Sequence, residues 1–377
     1  MKRVLLITDI FPPDIGGPAT FIDRLAWSLT DHGVSVTVVC ATPATDDSQD
    51  AARPFRVQRV PGRGKTGFGF RLRTTLIRQM LTHRHILVNG LEAHACAAAR
   101  ITGRRYVLKI VGDSVWEAAR NSGQTQLSVD EFQSQDSDSY RDLRHERSGW
   151  MSRANAIITP SQYLANLVGG WSVEAPRPQV VLNGVTRDVG SAVTPTRRRS
   201  DDPLRLVFCG RLTNWKGVET ILLTLSSLPR VQLDIIGDGP SAPMLHSLCN
   251  HLGLQDRIVW HGRLKASELD RAIAAAHVAV LMSSYEGLSH ALLEAAHHGL
   301  PLIASNCGGN PEVIQDGQNG ILVPYGDTAR LREAIQTLHS NEDLRYRLAR
   351  EAQRTAEHFD FDRTVSDTIH ILQESHQ

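Results

Sequence analysis

Ser283-Ser284-Tyr285-Glu286-Gly287-Leu288-Ser289-His290-Ala291-Leu292-Leu293-Glu294 follows an apolar run, Val278 to Met282. The run reads as a buried strand, and the polar residues after it as a turn. Ser289 suits a helix N-cap, and Gly299 with Pro301 marks the stop. The spacing predicts strand, turn and short helix, a repeating unit of parallel α/β sheets. The amides of Gly287, Leu288 and Ser289 fall at the positive end of the helix dipole, where an anion is favoured. Glu286 stands in the turn and Glu294 about one turn into the helix. Carboxylates accept hydrogen bonds from hydroxyls, so a phosphate between two polyols, as in a sugar nucleotide, fits the pattern. The plain alternative is an amphipathic helix with both glutamates in water.

The chain has 377 residues, enough for two ordinary domains, and a formal net charge of +1. That balance gives no nucleic-acid footprint. It hides an asymmetry: Arg53 to Arg105 holds twelve Lys/Arg against Glu92 alone, while Asp113 to Glu146 holds eight acids against three arginines. A basic lobe on a near-neutral protein points to an anionic partner surface. The cysteines (Cys40, Cys96, Cys209, Cys249 and Cys307) are scattered and odd in number, and read as reduced thiols of a cytoplasmic protein. No CxxC pair or His/Cys cluster offers a metal site. Lys2-Arg3 and Val4 to Ile7 mimic a signal peptide, but Asp9 interrupts them. No run approaches the ~18 apolar residues that span a bilayer.

The strand-helix unit repeats along the chain. Arg3 to Thr8 reads as a strand, followed by the Pro- and Gly-rich turn Phe11-Pro12-Pro13-Asp14-Ile15-Gly16-Gly17-Pro18. Thr20 to His32 has helical period, with Phe21, Leu25 and Leu29 on one stripe. Gly16 and Gly17 either let the backbone approach a ligand at the carboxyl end of the first strand or simply make a tight turn. The absence of GxGxxG gives no sign of a nicotinamide or flavin site. Phe70 to His83 reads as a helix, and the stretch around Phe68, Phe70, Leu72, Leu76, Ile77 and Met80 carries Arg71, Arg73, Arg78 and Arg84 as well. It suits a membrane surface, or a helix packed on the sheet with its arginines in water. Lys109, Asp113 and Glu117 fall near the carboxyl ends of strands, where doubly wound sheets bind ligands. Asn121 to Asp138 is rich in Gln and Ser and reads as a mobile insertion.

Residues 186–203 are polar and are expected to link two domains, 1–185 and 204–360. Beyond them the pattern restarts: the strand Leu204 to Cys209, then Gly210-Arg211-Leu212-Thr213-Asn214-Trp215-Lys216-Gly217, later Gly237-Asp238-Gly239 and Cys307-Gly308-Gly309-Asn310-Pro311-Glu312. Two successive α/β units imply two Rossmann-like, doubly wound domains with the site in the cleft between them.

In this order the motifs resemble the family-4 retaining glycosyltransferases. The match rests on Gly210-Arg211-Leu212 with Lys216-Gly217, Gly237-Asp238-Gly239, and Glu286 and Glu294 in their segment. It rests also on Phe11-Pro12-Pro13 to Gly16-Gly17, Asn183-Gly184-Val185 and Gly308-Gly309. It covers nearly the whole chain. The resemblance implies the GT-B fold, α/β, with an acceptor-binding first domain and a donor-binding second one facing across a central cleft. It also implies a final helix, 361–377, that packs back on the first domain. Arg211 and Lys216 would clamp the donor diphosphate and stabilise it as a leaving group. Glu294 would hold ribose hydroxyls and Glu286 those of the donor sugar. The amides of Gly287 and Leu288 would meet the phosphate, and Gly17 would let the first loop come close to it. His261 to Leu264 would lie beside the base, and the loop around Glu312 near the sugar. His290 either touches the donor or stands in water.

One departure stands out. Where many members carry a His after the strand ending near Val111, this chain has Val111-Gly112-Asp113. Asp113 stands in for that His as a polar contact, or deprotonates the acceptor, or only caps the loop. The expected activity is transfer of a hexosyl group from a UDP-, GDP- or ADP-sugar to an acceptor hydroxyl, without metal or cofactor. The expected setting is polysaccharide, glycolipid or envelope glycoconjugate synthesis. The acceptor is expected to be a saccharide or a lipid-linked saccharide, with the protein in the cytoplasm or on the inner face of an anionic membrane. A GT-B sugar-nucleotide epimerase and a non-catalytic sugar-nucleotide-binding subunit are the alternatives.

Overall fold

A computed structural model describes residues 1–14, 16–42, 50–135, 138–185 and 202–375. The expected linker falls almost wholly outside them. By its internal contacts the chain divides into two compact units. The first comprises residues 1–111, 136–182 and 362–377, the second residues 112–135 and 183–361.

The first unit holds a seven-stranded sheet built from β1 (Arg3–Thr8), β2 (Ser35–Thr42), β3 (Arg56–Pro61), β4 (His85–Asn89), β5 (Tyr106–Lys109), β6 (Ala154–Thr159) and β7 (Pro178–Val180). Its order is β3-β2-β1-β4-β5-β6-β7 and every pairing is parallel. This is the doubly wound order, whose direction reverses between β1 and β4. Leu5, Ile7, Val39, Val88, Leu108 and Ile157 bring their strands into one core with Leu72, Leu76 and Met80. Those last three lie on the helix Phe68–Thr82, so one face of this helix is packed on the sheet. Its other face carries Phe70, 74% exposed, with Arg71, Arg73 and Arg78 also exposed. Of the two readings of this helix that the sequence left open, the packing on the sheet with the arginines exposed is what the fold displays. The helix Phe361–Glu374 closes the chain. Within the first unit, its Leu372 carbonyl accepts from His85 Nδ1 at 2.8 Å and Thr364 Oγ1 donates to the Leu182 carbonyl at 2.6 Å.

The second unit has a six-stranded parallel sheet formed by β8 (Leu204–Cys209), β9 (Val231–Ile236), β10 (Ile258–Gly262), β11 (Val278–Leu281), β12 (Leu302–Ser305) and β13 (Gly320–Val323). The order β10-β9-β8-β11-β12-β13 repeats the doubly wound plan and reverses between β8 and β11. Leu206, Phe208, Leu233, Ile235, Val280 and Ile303 are wholly or almost wholly buried. At roughly 1.5–3 kcal/mol for each large apolar side chain withdrawn from water, such strands hold the sheet without help from their polar ends. Those carboxyl ends are thus left to carry glycine loops.

Residues 112–135 differ from the sequence reading in two ways. That reading gave them to the first domain, 1–185, but their contacts lie within the second unit. The Gln- and Ser-rich stretch read as mobile contains the helix Val129–Ser134, opened by a capping box of Ser128 and Glu131. Val129 and Phe132 are buried beneath it. Two apolar anchors and a reciprocal cap order a segment that its composition alone marks as loose.

Candidate active site

The site begins at the reversal point of the second sheet. After β8 the chain leaves through Gly210 and Arg211 and enters the helix Val218–Leu225 at Gly217. Gly217 has φ 69° and lies against the Met282 backbone, where a β-carbon would overlap the carbonyl oxygen. Only glycine meets both demands. The Ser284 amide donates to the Trp215 carbonyl at 2.8 Å, and the Lys216 amide to that of Thr213 at 3.1 Å. The loop that carries Arg211 and Lys216 is therefore fastened to the turn after β11. Arg211 is exposed, whereas Lys216 is half-buried.

That turn places Glu286. Lys216 Nζ donates to Glu286 Oε1 at 2.7 Å, and Ser283 Oγ donates to the same oxygen at 2.7 Å. The two side chains are only 20% and 11% exposed, so the pair is shielded from solvent far more than an ordinary surface bridge. From the other side, the loop after β12 closes on Glu286. Gly308, at φ 60°, leaves no room for a side chain beside the Glu286 backbone, and the Gly309 amide donates to the Glu286 carbonyl at 2.8 Å. Ser305 Oγ donates to the Ser283 carbonyl, and Asn310 Nδ2 donates to Ser305 Oγ at 3.1 Å.

The helix His290–His297 then runs from Ser289, whose Oγ accepts from the Leu292 amide at 3.3 Å. Gly287 and Leu288 immediately precede this cap, beside the positive helix end. Glu294 lies within the helix. Burial first, then the charges of Glu294 and Asp234, push the Cys209 thiol up to about 12.

A second cluster comes from residues 112–135. Asp113 is fully buried and caps the helix Ser114–Asn121. Its Oδ1 accepts from the Val115 amide at 3.0 Å and the Trp116 amide at 3.2 Å, and its Oδ2 from Gln133 Nε2 at 3.0 Å. The buried Trp116 ring meets Trp215 edge-on at 5.5 Å and Tyr285 at 5.2 Å between centroids. Trp215 and Tyr285 belong to the two loops just described, so one indole braces both. On the next residue, burial raises the Glu117 carboxyl from 4.5 to about 7. Lys216 and Arg211 pull it down, while Asp113 and Glu286 push it up.

Arg211, Lys216, Glu286, Gly287, Leu288, Glu294 and Asp113 thus all belong to the second unit, on loops at the β8 and β11 ends or on the segment packed with them. Gly17 belongs to the first unit, where it opens the helix Gly17–Asp31 behind β1. Lys109 also lies there, buried at the end of β5 with Nζ 4.3 Å from the Phe21 ring centroid, and burial lowers its ammonium to about 7. The sequence reading did not place Ser283, Trp116 and Tyr285 in the site, and it named Glu117 only by its position near a strand end. The adjacency of Trp116 and Glu117 in an otherwise polar stretch was the available signal. Among the described residues no cluster of three His, Cys, Asp or Glu side chains has the arrangement of a metal site.

Comparison with known proteins extends this geometry. The model for glycosyl transferases group 1 matches residues 195–355, and that for glycosyltransferase family 4 matches residues 15–189. The lipopolysaccharide core biosynthesis glycosyltransferase LpsE of Rhizobium meliloti is 31% identical over 55% of this chain and 61% of its own length. The GDP-mannose-dependent alpha-(1-6)-phosphatidylinositol monomannoside mannosyltransferase of Mycobacterium tuberculosis is 27% identical over 91% of this chain and 90% of its own. The chain thus spans less than two thirds of the first relative and nearly all of the second. Among solved structures, Anabaena HepE in complex with UDP and glucose superposes with a TM-score of 0.81 at 18% identity, covering 99% of this chain and 100% of that one. Two parallel doubly wound sheets with these neighbours define a GT-B glycosyltransferase fold. The chain belongs to the family-4 glycosyltransferases of group 1.

Proposed function

We propose that this protein is a retaining, metal-independent hexosyltransferase that uses a nucleotide-diphosphate sugar and builds a polysaccharide, glycolipid or envelope glycoconjugate. The observation that carries this reading is the shielded Lys216–Glu286 pair at the start of the helix His290–His297, on a loop shared with Arg211. A departing nucleoside diphosphate gains negative charge as the glycosidic bond lengthens. Fixed cations aimed at that charge lower the barrier because they need not reorganise. Lys216 and Arg211 supply the cations, and the helix start adds its dipole. Glu286, held by Lys216 and Ser283, keeps its second oxygen for sugar hydroxyls. Glu294 takes the ribose hydroxyls. An acceptor hydroxyl attacking on the face the diphosphate leaves preserves the anomeric configuration, and the departing phosphate shields the oxocarbenium-like centre. No covalent intermediate is required.

The relatives support a glycoconjugate product: one is a lipopolysaccharide core biosynthesis glycosyltransferase, one a phosphatidylinositol monomannoside mannosyltransferase. HepE, crystallised with UDP and glucose, supports a nucleotide site in this fold. The exposed Phe70 with Arg71, Arg73 and Arg78 supports peripheral contact with an anionic membrane that presents a lipid-linked acceptor. No described helix is long and apolar enough to cross a bilayer.

The test is a calorimetric and thermal-shift screen of UDP, GDP, ADP and their common sugar conjugates against the wild type and Arg211→Ala. One nucleoside diphosphate should stabilise the wild type and lose most of its effect in the variant. The same stabilisation in both would remove Arg211 from the clamp, and no binding by any ligand would overturn the reading.

A further inference from the structure

The loop between β3 and the helix Phe68–Thr82 reads Gly62-Arg63-Gly64-Lys65-Thr66-Gly67, and the proposed transfer gives it no part. The loop is tightly wound. The Lys65 amide donates to the Gly62 carbonyl at 2.9 Å, and the Phe68 amide to the Lys65 carbonyl at 3.2 Å. The Arg71 side chain folds back from the helix across this loop. Its Nη2 donates to the Pro61 carbonyl at 3.2 Å, and its Nη1 passes 3.7 Å from where a β-carbon on Gly67 would stand. A β-carbon on Gly62 would lie 2.9 Å from Arg71 Nη2 and 3.8 Å from Lys65 Cδ. Two cationic side chains therefore converge beside one glycine, which leaves them the room.

Like charges repel, so this convergence calls for an anion. Among the described residues Asp9 pairs with Arg63 at 3.4 Å, and neither Lys65 nor Arg71 has an acidic partner. The first turn of the helix holds no acid, and Gly67 at its N-cap offers no side chain. Lys65 and Arg71 are both exposed, so a ligand can reach them. The loop leaves the carboxyl end of β3, the edge at which doubly wound sheets bind ligands, and the Arg63–Asp9 pair ties it to the loop after β1.

The two cations also select the class of anion. The guanidinium fork meets two oxygens of a tetrahedral oxyanion, and the ammonium acts as a point charge beside it. Together they balance two negative charges. A phosphomonoester carries about two at neutral pH, whereas a carboxylate or a phosphodiester carries one.

We propose that Lys65 and Arg71 form a phosphoryl site in the first unit and take a phosphomonoester on the acceptor. This rests on the reading of the chain as a transferase with a glycoconjugate acceptor, and it names one chemical mark of that acceptor. A phosphorylated saccharide and a lipid phosphate share the chemistry.

The experiment titrates wild type, Lys65→Ala, Arg71→Ala, Arg78→Ala and Arg211→Ala with glycerol 3-phosphate by calorimetry near neutral pH. The same proteins are sedimented with phosphatidylcholine vesicles that contain equal fractions of either phosphatidic acid or phosphatidylglycerol. Lys65→Ala and Arg71→Ala should each weaken glycerol 3-phosphate binding by about tenfold or more, the loss of one charge-assisted contact. Arg78→Ala removes the same charge from the same helix away from the loop, and it should change that binding little, as should Arg211→Ala. A lipid source predicts that wild type prefers phosphatidic acid to phosphatidylglycerol and that Arg71→Ala loses the preference. A soluble source predicts glycerol 3-phosphate binding with no preference between the vesicles. Equal losses from Arg71→Ala and Arg78→Ala would reduce the site to diffuse charge and overturn the inference. Loss confined to Arg211→Ala would put the anion in the donor clamp, which overturns the inference and leaves the transferase reading standing. A wild type that neither binds glycerol 3-phosphate nor discriminates between the vesicles overturns it as well. The nucleotide screen with Arg211→Ala does not involve Lys65 or Arg71, so failure of the transferase reading shows there and failure of the phosphoryl site shows here.

Discussion

Gly217 and Met282 touch backbone to backbone: the Gly217 α-carbon lies where any β-carbon would overlap the Met282 carbonyl oxygen. The contact joins the loop after β8 to the turn after β11, and with the hydrogen bond from the Ser284 amide to the Trp215 carbonyl it sets Lys216 opposite Glu286. Gly217→Ala should therefore cost on the order of 3 kcal/mol in urea unfolding, from the positive φ and the collision together. Gly253 also has positive φ, 65°, but has nothing within 4 Å of its would-be β-carbon. Gly253→Ala should cost only about 1 kcal/mol. Equal losses at the two positions would show that the close approach carries no energy.

Lys216→Ala removes a cation from the leaving group and strands a shielded carboxylate. Turnover should fall by about 10²–10³-fold, the range seen when one fixed charge-stabilising group is lost, with a much smaller loss in affinity for the free nucleoside diphosphate. In the double variant with Glu286→Gln the stability deficit should shrink, because the stranded charge is gone. Steady-state kinetics and thermal unfolding read the two effects separately. Matching modest losses in turnover and binding would refute the clamp.

Asp113 offers a sharper division. Its carboxylate is spent on two amides and Gln133, and Asn reproduces the oxygen that caps the helix. Asp113→Asn should keep most of its turnover but lose about 1 kcal/mol, because its amide nitrogen faces Gln133 Nε2, while Asp113→Ala, which also loses the cap, should lose about 2 kcal/mol. A folded Asn variant without activity would instead assign the carboxylate to the acceptor.

Arg71, Arg73 and Arg78 flank Phe70 on the outward face of the helix Phe68–Thr82. At roughly 1 kcal/mol for each basic residue near an anionic surface, reversing all three should weaken binding to phosphatidylglycerol-containing vesicles by 2 or more orders of magnitude, on the order of 3 kcal/mol. Neutral vesicles should show little change. Unaltered sedimentation with anionic vesicles would end the membrane reading.

Lys109 gives a pH signature. Its folded-state value falls to about 7 from 10.5 because burial disfavours the ammonium. Between those values the unfolded chain binds more protons than the folded one, so this residue makes stability rise with pH across that window. Lys109→Met should exceed the wild type by on the order of 3 kcal/mol at pH 6, and the gap should narrow towards pH 10. A constant gap would mean that the lysine keeps its ordinary affinity for protons.

The loops of the second unit were legible in the sequence because they are built from residue types with few substitutes. Gly217 and Gly308 hold positive φ against a neighbouring backbone, and Ser289 caps its helix through its own side chain. Such demands are local and leave a local mark. The bracing of those loops was not legible. Trp116 finds Trp215 and Tyr285 far along the chain, and nothing in a Gln- and Ser-rich stretch signals which unit will receive it. The raised carboxyl of Glu117 was hidden for the same reason: its cause is burial within the second unit, and the charges around it come from three separate stretches of the chain. The helix Phe68–Thr82 was half legible, since its pattern showed apolar residues interleaved with arginines but not whether the apolar side would be taken by the sheet or by a membrane surface.

The chain enters the second unit at 112, leaves it at 136, returns at 183 and leaves again at 362. A single crossover near 186 between this gene and a relative's would therefore not exchange whole units. The hybrid would keep Trp116 and Asp113 from one parent and receive the loops of Trp215 and Tyr285 from the other. Inheritance of the second unit is thus tied to a short strip encoded well upstream of most of it. Chimeras that carry residues 112–135 along with 183–361 should fold and retain the specificity of the parent that supplied both, and those that separate them should lose the brace.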